Sequence, residues 1–362
     1  MSGPRAPAGP AALVTADRLR RFAQEVFERA GMSPTHAATV ADVLVWANLR
    51  GVDSHGVMRI PRYVAMIDTG VMNPKPSLTT QAETPASVLI DADRAAGPIA
   101  MTAAMTAAAG KARTAGVGLA FVRATTHTAA LGYYTLKGAE AGMAAMAMAA
   151  SWPNMAYHGA RAAGVSTSPI SIAVPGGERG PVVFDMGTGV VGMGKLIQAR
   201  KTGQPIQPGW ALDASGAPTT DPRAAEIPLP LGGPKGSGLA LMLELVTSLI
   251  VGNPILAGSL EEMAAGGHPL HKQNGLALAI DLARFVDPGV FRREVERLVA
   301  ALKRLPRDPE VAEILMPGER GSRTLAARSR EGIPVPLAVL AELAAVAERL
   351  GVPMFASAPG GG

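Results

Sequence analysis

The chain has 362 residues, long enough for two domains, and its 48% hydrophobic and 17% charged content excludes wholesale disorder. The net charge of +5 is spread along the chain, with no basic block alternating with aromatics, so anionic small molecules are expected partners and nucleic acid is not. The lack of cysteine excludes a disulfide framework, a thiolate metal site and a cysteine nucleophile.

The Pro/Gly/Ala-rich ends, residues 1–14 and 355–362, read as disordered tails. Met1 to Pro10 carry no apolar core of the kind a secretory signal needs. Thr15 can cap a first helix with Leu19, Phe22 and Val26 on one face. Ser33-Pro34 opens a second, with Val40, Val43 and Leu44 inward and Gly51 past its end.

From Ser87 the period changes. Ser87 to Asp91 reads as a strand, followed by an alanine-rich helix to Ala115, a strand over Val117–Val122 and helical sequence from Thr128 towards Gly142. Met143 to Ala150 is buried, but its alanines and methionines do not choose between strand and helix. Ile170–Val174 and Val182–Phe184 flank a Pro/Gly turn and signal a hairpin. The greasiest run, Leu239–Val251, is interrupted by Glu244 and too short to span a bilayer, so a cytoplasmic protein without a membrane partner is expected. Leu276–Ile280 reads as a strand, and Phe291–Leu305 and Val335–Leu350 have amphipathic helical spacing. The expected class is α+β, with residues 15–84 and 285–354 forming a discontinuous helical domain around an α+β domain over 85–284.

Asp53-Ser54-His55-Gly56-Val57-Met58-Arg59-Ile60-Pro61-Arg62-Tyr63 is the most informative stretch. It gathers an imidazole, a hydroxyl and a guanidinium, with Pro61 placed to open a helix. A proton donor beside a fixed cation suits a small carboxylate whose neighbouring carbon changes oxidation state. The plainer alternative is a helix start with a stray histidine.

Gly187-Thr188-Gly189-Val190-Val191-Gly192 is a formal GxGxxG after a strand. It lacks the uninterrupted helix and the second strand ending in an acid that a Rossmann crossover needs. Gly189 to Leu196 fits a phosphate-binding P-loop except at Leu196, where the metal-binding hydroxyl is missing. An anion-facing glycine turn survives both rejections. Gly232-Gly233-Pro234-Lys235-Gly236-Ser237-Gly238 precedes an apolar helix starting near Leu239, so free amides, the helix dipole and Lys235 can converge on a phosphate; a glycine-rich turn with a solvated lysine is the alternative. Of six histidines, His55 and His127 are candidates for chemistry. His127 sits at a strand–helix junction, and Asp185 at a strand's end is placed to orient one imidazole. His36 reads as a surface residue, His158 is undecided, and His268 and His271 flank a loop without the acidic cluster a metal site needs.

Taken together these positions resemble the type-2 malate/L-lactate dehydrogenase family, which includes ureidoglycolate and sulfolactate dehydrogenases, diketogulonate reductase and cyclic-imine carboxylate reductases. The likeness runs from Thr15 to about Gly332, through Arg50–Gly56, Arg59, Tyr63, Phe184-Asp185-Met186, Gly194-Lys195, Gly209-Trp210-Ala211, Pro218–Pro222, Gly232–Gly236 and Pro317-Gly318-Glu319. It implies a non-Rossmann nicotinamide-binding fold with a mostly antiparallel sheet, and a homodimer with the active site near the interface. It implies NADH or NADPH as cofactor, with contacts from Met186, Gly187, Thr188, Gly189, Val190, Lys235, Gly236, Pro317, Gly318 and Glu319. It makes His55 the proton donor/acceptor backed by Ser54 and Asp185, puts the substrate carboxylate on Arg59 beside Tyr63, and offers His127 as a second acid/base. The reaction expected is hydride transfer to or from C2 of a small 2-oxo or 2-imino acid, with His55 near its ordinary pKa of about 6.5 and steadied by Asp185. Thr126, Ser151 and Ser168 stand where the family usually has asparagine. That departure leaves open a relative that binds nucleotide or metabolite without turnover.

Overall fold

The computed structural model describes residues 10–355, apart from side chains at positions 198, 201 and 202. Strand β1 (Ala11–Val14) precedes helices α1 (Ala16–Arg29) and α2 (Pro34–Leu49). Two 3-10 turns, Asp53–His55 and Val57–Arg59, lead into α3 (Ile60–Asp68). The middle runs β2 (Thr79–Glu83), β3 (Ser87–Asp91), α4 (Gly97–Ala115), β4 (Val117–Thr125), α5 (Gly132–Glu140) and β5 (Met143–Ser151). The short pair β6 (Met155–Ala156) and β7 (Ala163–Val165) precedes the hairpin β8 (Ile170–Val174) and β9 (Val182–Met186). After α6 (Met193–Thr202) comes a small sheet of β10 (Ala211–Leu212), β11 (Pro218–Thr219) and β12 (Ile227–Pro228). The chain ends through α7 (Pro234–Glu244), a π turn (Leu245–Leu249), α8 (Leu256–Ala264), β13 (Gln273–Asp281), α9 (Pro288–Lys303), α10 (Glu319–Glu331), β14 (Ile333–Pro336) and α11 (Leu337–Leu350).

The large sheet has the order β2-β3-β4-β13-β5-β8-β9, and within it only β3 and β4 are parallel. The fold is therefore α+β with a mostly antiparallel sheet. The glycine turn follows β9, which pairs antiparallel with β8, so no Rossmann crossover surrounds it. Met143–Ser151, undecided by its residues, is a strand because the ladders to β13 and β8 supply the hydrogen bonds its alanines do not favour alone. Its small side chains let α5 approach closely: a Cβ on Gly138 would sit 2.5 Å from that of Ala145.

Elements from the two chain ends meet: β1 pairs with β14, α1 and α3 touch α11, and α10 lies on α2. The tails expected at 1–14 and 355–362 need correction at their inner edges. Ala11–Val14 is a strand because β14 offers it a partner, and Phe355 stacks edge-on against Phe22 at 5.0 Å. The outer parts of both tails lie outside the described residues. The division expected at 84/85 runs through the β2–β3 hairpin, and one buried core continues from Leu19 and Leu44 through Tyr63 to Met101, Tyr134 and Ala277.

Glu244, which interrupts the apolar run, is 2% exposed and fully used. Its carboxylate accepts from the Ile255 and Leu256 amides at 3.0 and 3.1 Å and from Ser248 Oγ at 2.8 Å, anchoring the start of α8. Among the described residues no helix is long and apolar enough to cross a membrane.

Candidate active site

The Asp53–Arg59 turns are held from below by residues distant in sequence. Arg328 on α10 grips both oxygens of Asp53 at 2.7 and 3.1 Å and also donates to the Asn48 carbonyl. The Asn48 amide donates to Asp53 Oδ1 at 2.6 Å, and its oxygen accepts from Val57 N at 2.8 Å. Position 56 must be glycine, because a Cβ there would lie 2.1 Å from Asn48 Oδ1. This scaffold fixes Ser54, His55 and Arg59: Ser54 Oγ lies 2.9 Å from His55 Nδ1, and Arg59 Nε donates to the Ser54 carbonyl at 2.6 Å. The helix opened by Pro61 then carries Tyr63, which is 0% exposed.

His127 arrives from the end of β4. The hydroxyls of Thr125 and Thr126 both donate to the Ala95 carbonyl, and Gln273 Oε1 accepts from Thr128 N. Gly97 abuts the His127 carbonyl, and flanking Ala124 and Ala129 have φ of 55° and 54°, left-handed values that non-glycine residues adopt only where surroundings enforce them. The result is one cluster. The rings of His55 and His127 stack with centroids 5.5 Å apart, and Tyr63 Oη lies 2.7 Å from His127 Nδ1 and 3.0 Å from its carbonyl oxygen. His271 and Trp152 close the cluster: His271 is 6.3 Å from His127 and 5.7 Å from Trp152, with Arg62 Nη2 3.3 Å from its Nδ1.

Each of the three imidazoles keeps a part open to solvent, but crowding and neighbouring cations disfavour their charged forms. Burial and then Arg59 push His55 down to about 4. Burial, then His55, Arg59, His271 and Arg62, hold His127 well below its usual range. Burial, Arg62 and Arg59 bring His271 to about 3. Unliganded, the cluster is therefore neutral at neutral pH. This corrects the expectation of an ordinary His55 steadied by Asp185.

Asp185 is not the third member of a relay. Its Oδ2 accepts from the Gly132 amide at 2.8 Å, and His55 Nδ1 is paired with Ser54 instead. Burial raises the Asp185 carboxyl to about 6, opposed by the Gly132 amide and Arg50, although the residue keeps an exposed face on the sheet's edge strand.

The residues expected to contact cofactor are linked to one another through β9 and the turn that follows it. The turn Met186-Gly187-Thr188-Gly189-Val190 meets the Leu229–Gly236 segment through Val190 N to Leu229 O, Leu231 N to Thr188 O and the Gly189–Pro230 bridge. Gly236 packs so tightly that a Cβ would lie 2.5 Å from Leu231 and 2.7 Å from Thr188 O. Pro317 and Gly318 lie against β9, with Val183 N donating to Pro317 O, and Arg50 donates to Gly318 O at 3.0 Å. A Cβ on Gly194 would lie 2.4 Å from that of Ser54, so the start of α6 sits directly on the histidine motif. One expectation fails: α7 starts at Pro234 rather than near Leu239, and the amides of Gly233, Lys235, Gly236 and Ser237 already donate to nearby carbonyls. The Lys235 side chain remains exposed there.

These surroundings suit the dinucleotide that the resemblance implies on two observations. Thr188 Oγ1 is fully buried without a hydrogen-bond partner, an unspent polar group in the turn. Hollows also border the surface, one of about 400 Å³ walled by Val190, Leu229, Gly232 and Gly233, the other of about 370 Å³ walled by Val182, Pro317, Glu319 and Arg323. Of the positions lacking asparagine, Thr126 bonds Ala95, Ser168 Oγ pairs with Ser166 Oγ at 2.5 Å, and Ser151 Oγ has only a 3.5 Å contact to the Trp152 carbonyl. Asn48, Trp152 and Arg328 are not singled out by the sequence; Arg62 is left without a role in the Asp53–Tyr63 stretch, and His271 is weighed only with His268, as a loop pair lacking the acids of a metal site.

The family described as malate/L-lactate dehydrogenase matches residues 14–344. The chain is 34% identical to a malate dehydrogenase of Pyrococcus horikoshii over 94% of its own length and 96% of that protein's. It is 32% identical to a Delta(1)-pyrroline-2-carboxylate/Delta(1)-piperideine-2-carboxylate reductase of Pseudomonas putida, covering 88% and 92%. The solved malate dehydrogenase from Pyrococcus horikoshii superposes with a TM-score of 0.87 at 32% identity, covering 98% of this chain and all of that one. The chain belongs to the malate/L-lactate dehydrogenase family.

Proposed function

We propose that the protein is an NAD(P)-linked oxidoreductase acting at C2 of a small 2-hydroxy/2-oxo acid or 2-imino acid, with His55 as proton donor and acceptor. The observation that carries this reading is the meeting of His55, His127, Arg59 and Tyr63 in one cluster, with the start of α6, just after the glycine turn, packed on Ser54 through Gly194. When bound, NADH or NADPH would supply the hydride in reduction, and its oxidised form would accept it in oxidation. Met186–Val190, Lys235-Gly236 and Pro317-Gly318-Glu319 would hold it.

Arg59, with Nε fixed on the Ser54 carbonyl, has its terminal nitrogens left for a substrate carboxylate. His55, with Nδ1 on Ser54 Oγ, keeps Nε2 for the substrate's C2 substituent. A neutral His55 is ready to take a hydroxyl proton in oxidation, and a bound carboxylate on Arg59 favours its protonation for reduction. His127, steadied by Tyr63, is the alternative acid/base at the same cleft.

A homodimer is part of this proposal. Leu239 and Met242 on α7, Leu249 at the end of its π turn and Ile250 just after it, with Leu260 and Met263 on α8, leave apolar side chains exposed, Ile250 by 61%. The test of function is a near-ultraviolet absorbance screen of NADH and NADPH against 2-oxo acids and cyclic 2-imino acids. Turnover of at least one acid is expected. Cofactor binding with no turnover across the panel would instead mark a relative that has lost catalysis.

A further inference from the structure

His271 has no role in the reaction outlined above, yet it stands within the catalytic cluster. It lies just before β13, and its neighbours come from three other parts of the chain: Arg62 on α3, His127 after β4 and Trp152 after β5. An arginine can only donate, so the 3.3 Å contact from Arg62 Nη2 makes His271 Nδ1 an acceptor and puts the ring proton on Nε2. That Nε2 is buried and has no hydrogen-bond partner. A buried donor left unmatched is costly to keep, and at a binding site it marks a place where a ligand supplies the acceptor.

Charge points the same way. Arg59 and Arg62 stand three residues apart on one side of the α3 start. Among the described residues neither has a carboxylate within ion-pairing distance, whereas Arg20, Arg123, Arg179 and Arg328 each have one. Two guanidinium groups beside three neutral imidazoles leave the cluster two positive charges without counter-ions. A substrate with a single carboxylate on Arg59 answers only one of them.

We propose that Arg62 and His271 form a second recognition arm, which selects 2-oxo and 2-hydroxy acids bearing a further anionic group beyond C3 over their monoanionic counterparts. The inference rests on Arg59 as the grip for the first carboxylate. His271 acts as a specificity-determining residue: Arg62 sets its tautomer, and its Nε2–H and the remaining nitrogens of Arg62 receive the second anion. Trp152 edges the ring and keeps it in place.

Two measurements test this. The first is kcat/KM for a four-carbon 2-oxo dicarboxylate and for 2-oxobutanoate, in wild type, Arg62→Gln, His271→Leu and His271→Gln. Wild type is expected to favour the dianion. Arg62→Gln should lose about 10–100-fold on the dianion, through KM, with the monoanion changed by no more than about threefold. His271→Leu should lose less, roughly 3–10-fold, and His271→Gln, which keeps a donor, should recover most of it. The second is calorimetric binding of malate and lactate to the same proteins without turnover. Wild-type preference for the monoanion, or equal losses for both substrates in the variants, would overturn the proposal. Arg62-dependent malate binding in a protein that turns over no acid would sustain the arm and defeat the oxidoreductase reading.

Discussion

Replacing His55 with asparagine removes one of three imidazoles that the fold keeps neutral, and the acid limb of the stability curve should register it. The ring titrates at 6.5 in an unfolded chain and at about 4 here, lowered by burial and Arg59. The folded state takes up this proton later than the unfolded one. The contribution is therefore complete above pH 6.5 and is lost as pH falls towards 4. At about 1.4 kcal/mol per tenfold change in proton affinity, the displacement is worth roughly 3 kcal/mol, and about 2 kcal/mol once the solvent-open part of the ring is discounted. His127 and His271 are displaced in the same direction, so acidification weakens the fold through the whole cluster. Asp185 works oppositely: raised from 3.8 to about 6, it binds its proton earlier in the fold, and acidification through that window favours the folded state. Comparing wild type with His55→Asn by denaturant unfolding cancels Asp185 and the other carboxylates. Between about pH 7 and about pH 4.5 the wild type should lose about 2 kcal/mol more than the variant. Parallel pH dependence in the two proteins would refute the reasoning.

Three other outcomes follow from packing. Gly56→Ala drives a methyl group to 2.1 Å from Asn48 Oδ1 and should break the Val57 and Asp53 contacts, costing about 1–3 kcal/mol; an unchanged thermal midpoint would count against this. Tyr63→Phe strips His127 Nδ1 of its partner and should destabilise by about 1–3 kcal/mol while lowering turnover and sparing cofactor affinity, checked by calorimetry and steady-state kinetics. Ile250→Asp puts a charge on the exposed apolar face just past the π turn and should yield monomers by light scattering; an intact dimer would place the interface elsewhere.

How much of the site was legible depended on distance along the chain. Ser54, His55, Arg59 and Tyr63 fall within one short stretch that gathers their chemistry in the sequence itself, and the structure brings them together. The supports do not: Arg328 reaches Asp53 across 275 residues, and Arg62 reaches His271 across 209. No local pattern encodes such pairs. Asp185 misled because a carboxylate at a strand's end resembles a relay member until Gly132 is seen to occupy it. Met143–Ser151 was ambiguous because alanine and methionine carry little β preference, and only its place between β13 and β8 decides. The β8–β9 hairpin, by contrast, is readable from a Pro/Gly turn between two apolar, β-branched runs.

The most direct test of the central claim compares wild type with His55→Ala in two readouts on one preparation: NAD(P)H binding by fluorescence, and the rate of C2 reduction of an accepted 2-oxo acid. If His55 moves the proton beside a carboxylate held by Arg59, binding stays within about twofold while the rate falls by roughly 10²–10⁴. Full turnover in His55→Ala would contradict the assignment and transfer the acid/base role to His127.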